Sequence, residues 1–68
     1  MTQLDARGLS CPEPVIMIRK AMAGKEPRYE MVVDNPVSRE NVTRYAEPQG
    51  YRVTVTEEQG EYKLVMTK

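Results

Sequence analysis

The chain contains no histidine and a single cysteine, Cys11, among its 68 residues. A lone thiol cannot form a disulfide within the chain, cannot complete a zinc site unaided, and has no imidazole to activate it for proteolysis. The absence of histidine and the single cysteine therefore exclude an internal disulfide, a zinc site formed by cysteine and histidine, and a cysteine–histidine protease. If Cys11 is reactive, it therefore reacts with another molecule.

Long apolar runs and blocks of one charge are also missing. No stretch approaches membrane-spanning length, and the residues after Met1 lack the apolar region of a signal peptide. We therefore expect no membrane partner and a cytoplasmic location, where a free thiol persists. Ten basic and ten acidic side chains are interleaved along the sequence, so the charge pattern of a nucleic-acid-binding protein is absent. This balance disfavours nucleic acid as a partner.

Alternation of apolar and polar residues predicts four strands in a single domain over residues 1–68. The inward apolar positions are Leu4 and Ala6; Tyr29, Met31 and Val33; Tyr51, Val53 and Val55; and Tyr62, Leu64 and Met66. The first strand is expected to end at Gly8, and residues 57–60 are expected to turn the chain between the last two strands. Outward residues such as Glu30 and Lys63 are expected to meet solvent or a partner.

A first helix is predicted after the first strand. Pro12 and Pro14 suit its first turn, where the missing N–H of proline would have had no intrahelical partner. Ser10 or Cys11 is expected at its start, and Gly24 at its end. Its apolar face is formed by Val15, Ile18 and Met22, flanked by Met17 and Ala21.

A second helix is predicted between the second and third strands, with Asn35 or Ser38 as its N-cap. Pro48 is expected to end or distort it, and Gly50 to reverse the chain. Its inner face carries Val42, Tyr45 and Ala46. The order β-α-β-α-β-β predicts an α+β two-layer sandwich, in which both helices pack on one face of a mixed four-stranded sheet.

The predicted position of Cys11 at a helix start bears on its chemistry. Unpaired N–H groups and the positive end of the helix dipole favour an anion there, so they stabilise a thiolate or the anion of a persulfide. The two prolines are expected to stiffen the loop beside the sulfur. A buried, inert cysteine that fills the helix start is the alternative, because free cysteines are often buried. From residue chemistry alone, both interpretations stay open.

The segment from Leu4 to Val15 resembles the signature of the TusA/SirA/YedF family of small sulfur-carrier-like proteins. In that family an Asp-x-x-Gly-x-x-Cys-Pro-x-Pro stretch leads into the first helix, and its spacing is met here by Asp5, Gly8, Cys11, Pro12 and Pro14. The resemblance extends over essentially the whole chain, because the family has the element order predicted above. The segment from Val33 to Tyr51 is closer to the YedF-like branch, which is associated with selenium metabolism.

The resemblance implies a carrier more than an enzyme with a substrate pocket, with no cofactor and no metal. Cys11 would accept a sulfane sulfur as a persulfide from a cysteine desulfurase or another persulfide donor, and would pass it to a downstream sulfur-acceptor protein. The end use would be tRNA thiolation or selenium metabolism. The residues implied to frame Cys11 are Pro12, Glu13 and Pro14 after it and Asp5, Arg7 and Gly8 before it. With no second cysteine to resolve it, the persulfide should persist until a foreign thiolate attacks.

Other interpretations remain beside this one. Asp5 is expected to satisfy local backbone donors, whereas Arg7 is expected to contact a partner, assist the thiolate or be solvated. A regulatory or protein-interaction module of the same fold would use Cys11 only for packing. A nucleic-acid-binding module would present its sheet to RNA, although the neutral charge counts against it. Pro48 departs from an unbroken second helix and would alter the surface that partners touch.

Overall fold

The computed structural model describes residues 2–10 and 12–68. Its elements are β1 (Thr2–Asp5), α1 (Glu13–Met22), β2 (Arg28–Val33), α2 (Pro36–Ala46), a 3-10 turn (Glu47–Gln49), β3 (Arg52–Glu58) and β4 (Glu61–Thr67). The predicted order β-α-β-α-β-β is confirmed, with the 3-10 turn added after α2. Among the described residues, neither helix is long and apolar enough to cross a membrane.

The four strands form one mixed sheet in the order β1-β2-β4-β3. β1 runs parallel to β2, whereas β4 runs antiparallel to both β2 and β3. Because β1 and β2 are parallel neighbours, their carboxyl ends meet at the same end of the sheet. β3 ends and β4 begins at that end as well, so one end of each of the four strands lies there.

Both helices cover the same face of this sheet, as predicted. The buried core joins Ile18 and Met22 of α1 and Val42 and Ala46 of α2 to the inward residues Tyr29, Met31, Val33, Leu64 and Met66. These strand residues alternate along β2 and β4, so they all lie on one side of the sheet. The other side carries polar residues and has no helix over it.

The boundaries of α2 follow the predicted signals. Asn35 is its N-cap, and the side-chain oxygen of Asn35 accepts a 2.7 Å hydrogen bond from the backbone N–H of Ser38. The helix ends at Ala46, and Pro48 lies in the 3-10 turn that follows. Gly50 then takes a left-handed conformation with φ of 95°, which glycine adopts without steric penalty. Pro48 therefore ends α2 and does not kink it.

The helix α1 differs from its prediction in two details. Its N-cap is Pro12, one position after the range predicted for the helix start. Pro14 is fully buried, and Ile18 and Met22 are also buried at four-residue spacing along the same helix, whereas Val15 is only half-buried. The burial of Pro14 makes this proline part of the core as well as part of the first turn.

The strands also shift slightly. β1 lies two residues earlier than the alternation indicated, although Ala6 is fully buried just beyond it. The hairpin turn is shorter than predicted, because β3 continues to Glu58 and β4 starts at Glu61. Gln59 and Gly60, with φ of 53° and 79°, form the two-residue loop.

The outward position of Glu30 predicts contact with solvent or a partner, whereas the structure pairs this residue with two side chains of its own sheet. It lies on the helix-free face of β2 but is only 6% exposed. Arg28 donates to its carboxylate at 2.8 Å, and Lys63 of β4 approaches it at 3.2 Å. Hydrogen bonds from Arg28 and Lys63 lower the pKa of Glu30. The two long side chains cover most of the carboxylate.

Candidate functional site

The residue predicted to carry the chemistry, Cys11, lies outside the described residues. Its neighbours on both sides, Ser10 and Pro12, are exposed. The site can therefore be built from the segments that lead into Cys11 and from the helix that follows it.

The loop before Cys11 is attached to the end of β2. The backbone N–H of Gly8 donates a 2.7 Å hydrogen bond to Oδ2 of Asp34, the first residue after that strand. Gly8 has φ of 78°, in the left-handed region that L side chains disfavour. A second bond, from Leu9 N–H to the carbonyl of Ala6 at 3.3 Å, closes the loop on itself. The route of the chain into Cys11 is thus set by a contact between the ends of two parallel strands.

Asp5 and Arg7 form a bidentate ion pair at the start of this loop. Nε and Nη2 of Arg7 donate to the two carboxylate oxygens of Asp5 at 3.0 and 2.8 Å. The backbone N–H of Arg7 also donates to Asp5, at 3.1 Å. These hydrogen bonds lower the pKa of Asp5 to about 2. Asp5 thus accepts from a nearby backbone donor, which was its expected role, and also holds the guanidinium.

The guanidinium of Arg7 is shared with a second carboxylate. Nη1 of Arg7 lies 3.4 Å from Oε2 of Glu61, at the beginning of β4. The hydrogen bond to Asp5 and, to a smaller extent, that to Glu61 raise the pKa of Arg7. All three side chains are about half exposed, so the network is a surface feature with modest energy. In this arrangement the guanidinium of Arg7 is held by two carboxylates and is not a free cation.

The start of α1 offers few N–H donors to an anion. Pro12 and Pro14 have no N–H, and the N–H of Glu13 donates to the carbonyl of Ser10 at 2.9 Å. The N–H of Ile16 donates to the carbonyl of Pro12 at 3.0 Å. An anion next to this turn is therefore stabilised mainly by the helix dipole and less by direct hydrogen bonds.

The positive ends of two helix dipoles lie at the end of the sheet where β1 and β2 finish. α1 follows β1 and α2 follows β2, so both helices begin at the end of the sheet where β1 and β2 finish. The positive ends of both dipoles thus lie on the same side as the loop before Cys11. Two carboxylates, those of Glu13 in the first turn of α1 and Asp34 before α2, partly offset this positive potential.

An apolar patch adjoins the site along α1. It consists of the half-buried Leu9 and Met17 and of Ile16, which is 37% exposed. These side chains line an open depression of about 270 Å³, with Glu13 and Lys20 at its rim. Leu9 lies two positions before Cys11, so a protein that reached the thiol would meet this apolar patch.

No enclosed substrate pocket accompanies the site in the part of the chain that the structure describes. An open groove of about 420 Å³ lies on the helix-free face of the sheet, and Asp5, Arg7, Glu30, Glu61 and Lys63 are among its lining residues. Most of these charges are already paired with one another. Across residues 2–10 and 12–68, no group of three or more acidic, cysteine or histidine side chains is placed to hold a metal ion.

Two residues of the site were not found by sequence reasoning. These residues are Asp34 and Glu61, and the sequence patterns assign neither of them a role beside Cys11. Aspartate side chains in turns often accept backbone N–H bonds, but that tendency is local and does not indicate a donor as distant as Gly8. Neither the Gly8 contact nor the Arg7 contact is visible in the sequence, because each spans a large separation along the chain.

Comparisons with known proteins agree with the motif. The family model described as sulfurtransferase TusA matches residues 2–68. A candidate sulfur carrier protein of Methanocaldococcus jannaschii is 35% identical over 71 aligned positions, which cover 100% of this chain and 95% of that protein. The crystal structure of a SirA-like protein from Desulfitobacterium hafniense superposes with a TM-score of 0.88 at 34% identity, covering 98% of this chain and 96% of the other. The chain therefore belongs to the sulfurtransferase TusA family.

Proposed function

We propose that this chain is a sulfur carrier that holds a sulfane sulfur as a persulfide on Cys11. The observation that supports this most directly is the family match over residues 2–68, which includes the whole Asp-x-x-Gly-x-x-Cys-Pro-x-Pro motif. Family membership and the relative described as a sulfur carrier support carriage of sulfur in general terms. Assignment of the persulfide to Cys11 rests on the motif and on this being the only cysteine.

The loading step is an exchange at sulfur. The thiolate of Cys11 attacks the terminal sulfur of a persulfide on the donor protein, and the bond between the two donor sulfurs breaks. The donor cysteine leaves as a thiolate, and Cys11 becomes the persulfide. In the second step a thiolate of the acceptor protein attacks the terminal sulfur on Cys11, and Cys11 leaves as a thiolate. No external oxidant or reductant is needed, because the sulfane sulfur is only moved.

The surroundings described above suit both steps. Cys11 is an anionic thiolate both when it attacks the donor and when it leaves after transfer. The positive ends of the dipoles of α1 and α2 favour this anion in both steps. Ser10 and Pro12 are exposed, so the chain reaches the surface on either side of the thiol. The patch of Leu9, Ile16 and Met17 gives a donor or acceptor protein an apolar surface on the helix that follows Cys11 and on the loop before it.

The partners are therefore proteins: a cysteine desulfurase or another persulfide donor, and a protein that accepts the sulfur. tRNA thiolation and selenium metabolism are the narrower versions of this proposal, and they differ in the acceptor and in whether the carried atom is sulfur or selenium. The open grooves without an enclosed pocket fit a carrier that meets macromolecules. A protein-interaction module of the same fold is the competing interpretation, in which Cys11 transfers nothing.

Incubation with a cysteine desulfurase and free cysteine, followed by intact-mass analysis, tests the proposal. The native chain should gain the mass of one sulfur, and a reductant should remove it. Cys11→Ser, which preserves size and polarity, is the matched control and should gain nothing. Failure of the native chain to load with several desulfurases, together with slow alkylation of Cys11 at neutral pH, would favour the interaction module.

A further inference from the structure

The strand β3 forms a long, open edge of the sheet. It has seven residues and pairs only with β4 among the described strands, whereas β1, at the opposite edge, has four. Arg52–Glu58 contains neither proline nor lysine, two of the residues that commonly block an edge strand from pairing. The outer side of β3 therefore presents backbone N–H and C=O groups that another strand can use.

The helix layer does not cover this edge. Val55 points to the helix side of the sheet but is 40% exposed, whereas its cross-strand neighbour Leu64 is fully buried. Arg39, Thr43 and Arg44 of α2 and Val55 line an open groove of about 450 Å³. An apolar side chain of the helix-facing side thus lies uncovered at the middle of the edge strand.

The two charges at the ends of β3 are self-complementary, whereas its third charge, Glu57, lies on the helix side and faces Val53 of a second copy in an antiparallel register centred on Val55. Arg52 is its first residue and Glu58 its last, and the even-numbered residues share the helix-free face. An antiparallel pairing centred on Val55 places Arg52 of one copy opposite Glu58 of the second copy, twice by symmetry. The same register places Thr54 opposite Thr56 of the second copy and Val55 opposite Val55 of the second copy. Opposite-charge and Thr–Thr cross-strand pairs both stabilise a sheet.

We propose that β3 pairs with β3 of a second copy of this chain, antiparallel and in the register centred on Val55. The two four-stranded sheets then join into one sheet of eight strands. The two-fold axis is perpendicular to the sheet, so both helix layers stay on one side and the two Val55 side chains cover each other. This contact involves no residue of the loop before Cys11, so both copies keep their candidate sites. The proposal does not depend on sulfur transfer.

Sedimentation equilibrium of the full chain over a wide range of concentration tests this pairing. The native chain should show a reversible monomer–dimer equilibrium. Arg52→Glu and Glu58→Arg should each weaken dimerisation by roughly tenfold or more, because each creates two like-charge pairs across the axis. The double variant Arg52→Glu/Glu58→Arg restores opposite charges in both places and should recover the dimer.

Two further variants separate this pairing from general effects of charge and folding. Lys20→Glu lowers the net charge of the chain by the same amount as Arg52→Glu, but on α1. This variant should leave the dimer intact. Val55→Lys places two ammonium groups at the axis and should give a folded monomer, as judged by circular dichroism. A native chain that is monomeric at every concentration, or a dimer that both charge reversals leave unchanged, would overturn the proposal.

Discussion

The backbone N–H of Gly8 donates a 2.7 Å hydrogen bond to the carboxylate of Asp34, a residue 26 positions further along the chain. The bond joins the loop that leaves β1 to the end of β2. It is a consequence of topology, because parallel neighbouring strands finish at the same end of a sheet. The conformation of the loop before Cys11 therefore depends on a side chain outside the motif.

Removing this acceptor should loosen the loop with little loss of the fold. Asp34→Ala deletes the bond to Gly8, and we expect unfolding free energy to fall by about 0.5–1.5 kcal/mol, the usual net value of one hydrogen bond. Hydrogen exchange of the Gly8 amide, followed by NMR, should accelerate. Asp34→Asn keeps a side-chain oxygen as acceptor and is the matched control, so its Gly8 amide should remain protected. Equal protection in the alanine variant would contradict the anchoring role.

The two prolines of the motif should differ in their effect on stability. Pro14 is fully buried in the core, whereas Pro12 is exposed. Pro14→Ala removes about two buried CH₂ groups and should cost about 1–2 kcal/mol beyond the entropic effect common to both replacements. Pro12→Ala should cost only about 0.5 kcal/mol. Urea unfolding of the two variants measures the difference, and equal losses would show that Pro14 does not pack as described.

Stability should depend on pH through Asp5. Its pKa is lowered to about 2 by Arg7, against about 3.9 in an unfolded chain. Because the folded form binds this proton more weakly, the stabilisation is present above pH about 4 and is lost as pH falls through about 2. The melting temperature of the native chain should therefore drop more steeply in that window than that of Asp5→Asn. Parallel curves for the two chains would contradict the ion pair.

The apolar patch beside Cys11 should matter for protein donors and not for small ones. Ile16→Gln removes an exposed apolar side chain, and loading by a cysteine desulfurase should slow roughly five- to tenfold, equivalent to about 1 kcal/mol at an interface. Loading by inorganic polysulfide, which needs no docking, should be unchanged. Ile16→Leu keeps an apolar side chain and should load like the native protein. Slower loading with both reagents would point to an effect on the thiol itself.

The two-layer arrangement of helices and strands could be predicted from the sequence, because apolar residues recur at regular spacing in each strand and helix. Tyr29, Met31 and Val33 alternate without interruption, and all three are buried as that period requires. The signals that end elements were also reliable where they are local, as with Asn35 before α2 and Pro48 after it. Capping and proline effects act within one turn of the chain, so neighbouring residues are enough to predict them.

Contacts between distant segments could not be predicted in the same way. Glu30 occupies an outward position of β2, and only the register of β4 shows that Lys63 lies close enough to cover it. Asp34 and Glu61 support the candidate site through Gly8 and Arg7, and neither pairing leaves a periodic signal. The motif predicts which residues frame Cys11, whereas the strand order determines which other residues contact Gly8 and Arg7.

Locating the transferred sulfur atom decides whether Cys11 is the carrier residue. The chain is loaded by a desulfurase, the persulfide is trapped by alkylation, and the proteolytic peptide that spans Cys11 is identified by tandem mass spectrometry. If Cys11 is the carrier, it gains one additional sulfur, which disappears when an acceptor protein with a free thiol is added before trapping. An unmodified Cys11 under conditions in which the desulfurase is itself persulfidated would show that Cys11 is not the carrier.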